Sequence, residues 1–270
     1  MKKTILLTGA TDGIGLETAR RLATEGHHLL LHGRSPAKLA RVIDEVSRPA
    51  NAGPVESYVA DLSCLPQVDA MATAVAEKHD RLDVLINNAG VFKVANPITP
   101  SGIDLRFMVN TIAPYLLTQR LLKLMNATAR VVNLSSAAQS SVELPALAGR
   151  TRLPDFEAYA QSKLAITMWS RLFADELGER GPIVVAINPG SMLGTKMVKE
   201  GFGVTGANVG IGADILVRAA LSDEFADASG EYFDNDARTF AQPHPDARDP
   251  NKNQALVTAI GEVLSCERAE

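Results

Sequence analysis

Thr8-Gly-Ala-Thr-Asp-Gly-Ile-Gly15 is the stretch whose reading decides the fold. It follows an apolar run over residues 3–8 and opens a segment with helical apolar spacing. Strand, glycine turn and helix are therefore consecutive. Gly9 permits a tight turn, Gly13 lets a phosphate approach the backbone, and Gly15 permits close helix packing. The helix start offers free N–H groups and a positive dipole end to the same point. Thr11, Asp12 and Ile14 lie within this loop and are expected to line the same site. A lone glycine pattern is a weak signal, but the strand–turn–helix setting is what phosphate binding requires. The bland alternative is a structural turn.

Working outward, short apolar runs alternate with longer helical patterns. Strands are expected at residues 3–8, 28–32, 55–59, 84–87, 130–134, 183–187 and 230–233. Gly26 ends the first helix, and Ser35-Pro36 caps and starts the second. Ser63 is the expected cap of the third helix and Ser101 of the fourth. The fifth covers residues 155–177, and a last helix covers 251–264. Such alternation predicts an α/β, doubly wound Rossmann fold: a mainly parallel sheet of about seven strands, with helices on both faces. Residues 1–270 are read as a single domain. Two long loops follow strands at their carboxyl ends, an insertion near 137–154 and a glycine-rich loop near 191–208. The second has an apolar side in Met192, Leu193, Met197, Val198 and Phe202, which suits a substrate lid. Residues 240–246 read as an irregular loop, with His244 structural.

Composition narrows the classes. The chain has 270 residues, 46% of them hydrophobic, and a net charge of −4. That is enough apolar material for a real core. Lysines and arginines are scattered, with no basic arm for nucleic acid. No apolar run is long enough to span a membrane, and the amino-terminal run is too short for a signal peptide. Cys64 and Cys266 show no metal or redox spacing and read as reduced thiols in a cytoplasmic protein. The five histidines show no ligand spacing, so no metal is expected.

Tyr159 and Lys163 stand four apart on the fifth helix and so share a face. A free tyrosine titrates near ~10, leaving about one part in a thousand as phenolate at neutral pH. A nearby ammonium favours the phenolate, and the expectation is that Lys163 lowers the Tyr159 pKa. Such a tyrosine exchanges a proton with an alcohol or a carbonyl. By itself, Y-x-x-x-K is also an ordinary helix pattern. The second strand ends in Arg34 where an acidic residue would bind the ribose hydroxyls of NAD. Arg34, with Ser35 and Lys38 beyond it, suits a 2′-phosphate, which predicts NADP(H) over NAD(H). Asp12 is a mild counter-argument, and a solvated surface charge is the bland reading of Arg34.

In this order the motifs resemble the short-chain dehydrogenase/reductase family over most of the chain. They are Gly9/Gly13/Gly15, Asp61-Leu62, Asn87-Asn88-Ala89-Gly90, Asn110, Ser135-Ser136, Tyr159/Lys163 and Pro189-Gly190. The resemblance implies hydride transfer between a nicotinamide cofactor and a carbonyl or alcohol, with Tyr159 as general acid/base. It implies that Lys163 binds the nicotinamide ribose, that Ser136 holds the substrate oxygen, and that Asn110 holds a water of a proton relay. Asp61 and Leu62 would touch adenine, and Asn88, Ala89 and Gly90 would wall the cofactor. Pro189, Gly190, Met192 and Thr195 would lie on its nicotinamide and diphosphate side. Adjacent strand-end residues point to opposite sides, and the family pattern selects Ser136 over Ser135. The Ser136–Tyr159 separation is about ten residues longer than usual, as in the branch resembling retinol dehydrogenases and WW-domain oxidoreductases. The threonine after Pro189-Gly190 falls one residue late, at Thr195.

The resemblance further implies a small-molecule substrate and a homodimer or homotetramer built on the fourth and fifth helices. Ala165, Ile166, Met168, Trp169 and Leu172 would pack either on the sheet or on a partner. Two other functions compete. A non-catalytic nucleotide sensor or scaffold would be expected to have lost Tyr, Lys or Ser from the site, and all are present. Epimerase or dehydratase chemistry on a nucleotide sugar also uses Tyr-x-x-x-Lys, but chain length and Asn87-Asn88-Ala89-Gly90 favour the simpler oxidoreductase.

Overall fold

A computed structural model of the chain describes residues 2–267. Its centre is one eight-stranded sheet in the order β3-β2-β1-β4-β5-β6-β7-β8. The strands are β1 Thr4–Leu7, β2 His28–Gly33, β3 Val55–Val59, β4 Val84–Asn87, β5 Arg130–Leu134, β6 Ile183–Asn188, β7 Tyr232–Asp234 and β8 Thr239–Ala241. All neighbours are parallel except β7 and β8. The expected seven strands are thus joined by an eighth. Thr239–Ala241, which overlaps the start of the irregular loop expected at 240–246, pairs antiparallel with β7. Three residues are too few to show an alternating pattern.

The helices are α1 Gly13–Thr24, α2 Pro36–Val46, α3 Leu65–Lys78, α4 Leu105–Phe107, α5 Ala113–Leu121, α6 Leu144–Leu147, α7 Asp155–Leu177, α8 Lys196–Phe202, α9 Gly210–Leu221 and α10 Pro250–Cys266. The central strands are apolar at consecutive positions because both faces are covered. Leu6, Leu30, Leu85, Val131 and Val184 join the core under α3, α5, α7 and α10. The alternate residues Ile5, Leu29, Val84, Val132 and Val185 join the core on the opposite face. Chain connections reverse across β1, which puts a crevice between the carboxyl ends of β1 and β4, where open α/β sheets bind ligands.

Two caps differ from expectation. Cys64, not Ser63, precedes α3, because Ser63 donates its hydroxyl to Asp61 Oδ1 at 2.7 Å. Asp104, not Ser101, caps α4, while Ser101 pairs with Thr99 at 2.9 Å. Ser35 does cap α2, with Pro36 in its first turn. The face of α7 left open between core and partner is closed inside the chain, since α10 packs against it. Trp169 is fully buried within the chain, with Tyr115 of α5 and Phe173 against its ring. The 137–154 insertion is partly core as well: Ala146 and Leu147 are buried in the same cluster. No helix of the described residues is long and apolar enough to cross a membrane.

Candidate active site

The glycine loop is built for close approach. Gly9 and Gly13 have φ of +68° and +51°, which side-chain-bearing residues rarely adopt. A Cβ on Gly15 would stand 2.2 Å from Gly9 O, so only glycine lets α1 close onto the turn. Asn88 pins the turn from β4 by donating Nδ2 to Thr8 O (2.8 Å) and Gly9 O (3.1 Å). His32, unmarked in the sequence reading, holds it from β2: Nδ1 accepts from Gly9 N at 3.2 Å while Nε2 faces Ala60 O. Burial pushes its pKa down, in keeping with the neutral form that can accept. Asp12 caps α1 by accepting from Gly13 N.

The other expected cofactor residues gather at this end of the sheet. Arg34 and Lys38 are exposed, and the Ser35 hydroxyl is engaged as the α2 cap. Thr11 packs beside Gly33, where a Cβ would meet its methyl at 2.6 Å. Thr195 lies against Gly13, its Cγ2 3.2 Å from where a Cβ would be, despite its shift in sequence. Its hydroxyl also caps α8 by accepting from Val198 N. Pro189 and Gly190 follow β6 and are tied to the β7–β8 hairpin: Asn235 Nδ2 donates to Pro189 O at 2.9 Å. Asp61 is partly exposed, whereas the Leu62 side chain is buried in the core. Met192 is exposed and adopts φ +52°. A loop opened by three glycines, a helix start and two exposed cations fit a dinucleotide phosphate chain.

Catalytic candidates converge beside Gly90. A Cβ there would stand 3.3 Å from Asn110 Oδ1 and 3.4 Å from Lys163 Nζ. Asn110 sits in a π-helical turn, Met108–Ile112, between α4 and α5. Such turns add a residue and occur often at functional sites. Its amide clamps Val91, accepting from Val91 N (2.8 Å) and donating to Val91 O (3.0 Å). Ser135 turns inward, donating to Lys163 O at 2.8 Å. Ser136 turns the other way and faces the Tyr159 phenol, as strand alternation requires.

The electrostatics differ from the sequence expectation. Burial raises the Tyr159 pKa, and hydrogen bonding with Ser136 draws it back. The net direction is upward even with Lys163 nearby. The ammonium lies 5.8 Å from the Tyr159 ring centroid and donates to Leu134 O at 2.7 Å. Burial without a counter-ion pushes Lys163 itself down to about 8.

Besides His32, two further residues were not visible in the sequence. Phe92 is buried against the Tyr159 ring, with centroids 5.0 Å apart, and stacks on Phe202 at 5.4 Å. The expected lid thus contains a helix, α8, resting on Phe92 above the tyrosine. Its apolar side is split, for Leu193 is buried while Met192 and Phe202 are exposed. Arg106, 1% exposed, bonds bidentately to Asp104 and pairs with Asp155, four residues before Tyr159. It thereby ties α4 to the start of α7. Only the charges flanking buried positions hinted at it.

A family model described as short chain dehydrogenase matches residues 3–203. The chain belongs to that family. Retinol dehydrogenase 13 of Homo sapiens is 32% identical over 284 residues, covering 98% of this chain and 85% of that protein. The WW domain-containing oxidoreductase of Homo sapiens is 28% identical, covering 98% of this chain and 69% of that one. A short-chain dehydrogenase from Shigella flexneri, solved with NADP, superposes with a TM-score of 0.68 at 28% identity, covering 87% of this chain and 97% of the other. This short-chain dehydrogenase is therefore an oxidoreductase of the CH–OH/C=O type that uses a nicotinamide cofactor.

Proposed function

We propose that this short-chain dehydrogenase reduces carbonyls, or oxidises the corresponding alcohols, with NADP(H), and that Tyr159 carries the proton. The observation that carries the reading is the convergence of Tyr159, Ser136, Lys163 and Asn110 at the carboxyl edge of the sheet, beside the Cβ-free wall at Gly90. The cofactor, when bound, supplies or accepts the hydride. The Ser136 and Tyr159 hydroxyls together present two donors to one substrate oxygen, stabilising the charge that develops on it. In reduction Tyr159 gives up its proton to that oxygen, and in oxidation it receives it. Lys163 brings a positive charge next to the site in a poorly solvated place, where that charge acts more strongly than in water. Asn110 fixes the Val91 backbone, and with it the wall opposite the tyrosine.

Arg34 and Lys38 support NADP(H), since a guanidinium at the end of β2 matches a 2′-phosphate. Phe156, Phe202 and Met192 are exposed apolar side chains, and Phe202 stacks above the Tyr159–Phe92 pair, which supports a lipophilic substrate. Free Cys64 and Cys266 support a cytoplasmic location. A homo-oligomer would need a surface other than the α7 face that α10 occupies, and light scattering at working concentration gives the subunit count. Turnover is tested by nicotinamide absorbance with NADPH and NADH against ketones, aldehydes and alcohols. Tyr159→Phe abolishes turnover while retaining cofactor binding. Unchanged turnover in that variant would overturn the assignment.

A further inference from the structure

Away from the active site, at the amino-terminal ends of the strands, three metal-ligating side chains meet. His28 is the first residue of β2, Glu56 the second of β3, and His79 follows the last residue of α3. Their sequence separations, 28 and 23, hide them from any spacing rule. The register pairs Leu30 with Glu56, so His28, Leu30, Glu56 and Tyr58 share the face that α3 covers. His28 Nε2 lies 3.1 Å from Glu56 Oε1, and His79 Nε2 lies 3.2 Å from Glu56 Oε2. One donor atom from each residue falls within 4.8 Å of the other two. The imidazoles stand edge to face at 5.3 Å, and their side chains are only 25% and 10% exposed.

We propose that His28, Glu56 and His79 form a binding site for a divalent transition metal, best suited to Zn2+, that fastens β2, β3 and the end of α3 together. Two imidazoles and a carboxylate are a common zinc donor set, leaving a fourth position for water. Zinc bonds of ~2.0–2.2 Å in a tetrahedron put neighbouring ligands about 3.4 Å apart; each imidazole is already 3.1–3.2 Å from one carboxylate oxygen, and all three donor atoms lie within 4.8 Å, so a small side-chain rotation onto a shared ion closes the set. The site also lies at the negative end of α3, which favours a cation. The Tyr58 hydroxyl donates to Glu56 Oε2 at 3.0 Å, and the competing cation is Lys78, whose ammonium lies 2.9 Å from the same oxygen. It is 61% exposed and free to swing into water when a dication takes its place.

The test uses untagged, EDTA-treated, full-length protein titrated with Zn2+ by calorimetry and with Co2+ by visible absorption. Wild type binds one Zn2+ and gives the intense bands of tetrahedral cobalt. His28→Gln and His79→Gln each weaken Zn2+ by about tenfold or more and lose those bands, with metal-free circular dichroism showing that both remain folded. Lys78→Ala, a surface change, tightens binding. No Zn2+ binding in wild type, or binding that is the same in wild type and in the His28→Gln and His79→Gln variants, overturns the proposal.

Discussion

Replacing Lys163 by methionine separates the stability of this enzyme from its function in a way that pH exposes. The ammonium is buried, donates to Leu134 O, and titrates at about 8 instead of its ordinary 10.5. That gap corresponds to about 3 kcal/mol of disfavoured charge, at ~1.36 kcal/mol per pH unit. Below pH 8 both folded and unfolded chains hold the proton, and the folded chain carries the whole penalty. Between about 8 and 10.5 the unfolded chain keeps a proton that the folded chain has released. Stability therefore rises with pH across that window, by about 3 kcal/mol in total. Lys163→Met has no such group. Its stability relative to wild type is greatest at pH 7 and falls as pH climbs through the window. The variant also leaves Leu134 O without its donor, a cost of ~1–3 kcal/mol that does not vary with pH. That cost moves the point where the two curves cross and leaves their relative slope intact. Urea unfolding of both proteins at intervals from pH 7 to 10, repeated in a Tyr159→Phe background to remove the phenol, gives the difference curve. Turnover is lost in Lys163→Met at every pH although the protein is folded. Parallel stability curves would refute the claim that this ammonium is desolvated.

Arg106→Met strands the buried Asp104 carboxylate and releases Asp155 at the start of α7; it lowers stability by ~3–5 kcal/mol, read by urea unfolding. Gly15→Ala places a methyl 2.2 Å from Gly9 O. The clash destabilises by ~1–3 kcal/mol and weakens dinucleotide binding, measured by melting temperature and by cofactor fluorescence. Arg34→Glu replaces an attractive charge with a repulsive one at the end of β2; the ratio of NADPH to NADH affinity falls by roughly 10–100-fold, the ~1.5–3 kcal/mol of a charged hydrogen bond. An unchanged ratio would remove Arg34 from the cofactor site.

The fold was legible where its signals are local. The glycine loop, the Tyr159/Lys163 spacing and the central strands each occupy a few consecutive residues with a definite period. Strand alternation set Ser135 and Ser136 on opposite sides, while the choice of Ser136 came from the family resemblance. What escaped depends on partners distant in sequence. Ser63 and Ser101 look like caps, yet Asp61 and Thr99 claim their hydroxyls. The apolar face of α7 reads the same whether α10 or a second subunit covers it. Lys163 and Tyr159 share a helix face as expected, but the ammonium turns to Leu134 O, and burial overrides the anticipated effect on the phenol. Arg106 and the His28–Glu56–His79 group exist only once the chain is folded.

The π-helical turn at Met108–Ile112 has a consequence for mutational tolerance. An α-helix advances about 100° per residue, so one additional residue re-phases everything upstream of it against everything downstream. Asn110 reaches Val91 from within that offset, while α5 continues into the core in its own phase. Removing one residue here would let the segment relax into ordinary helix and still bury its leucines, but the amide would rotate out of the crevice. Length variation at this point would therefore be silent in a folding screen and decisive in a catalytic one.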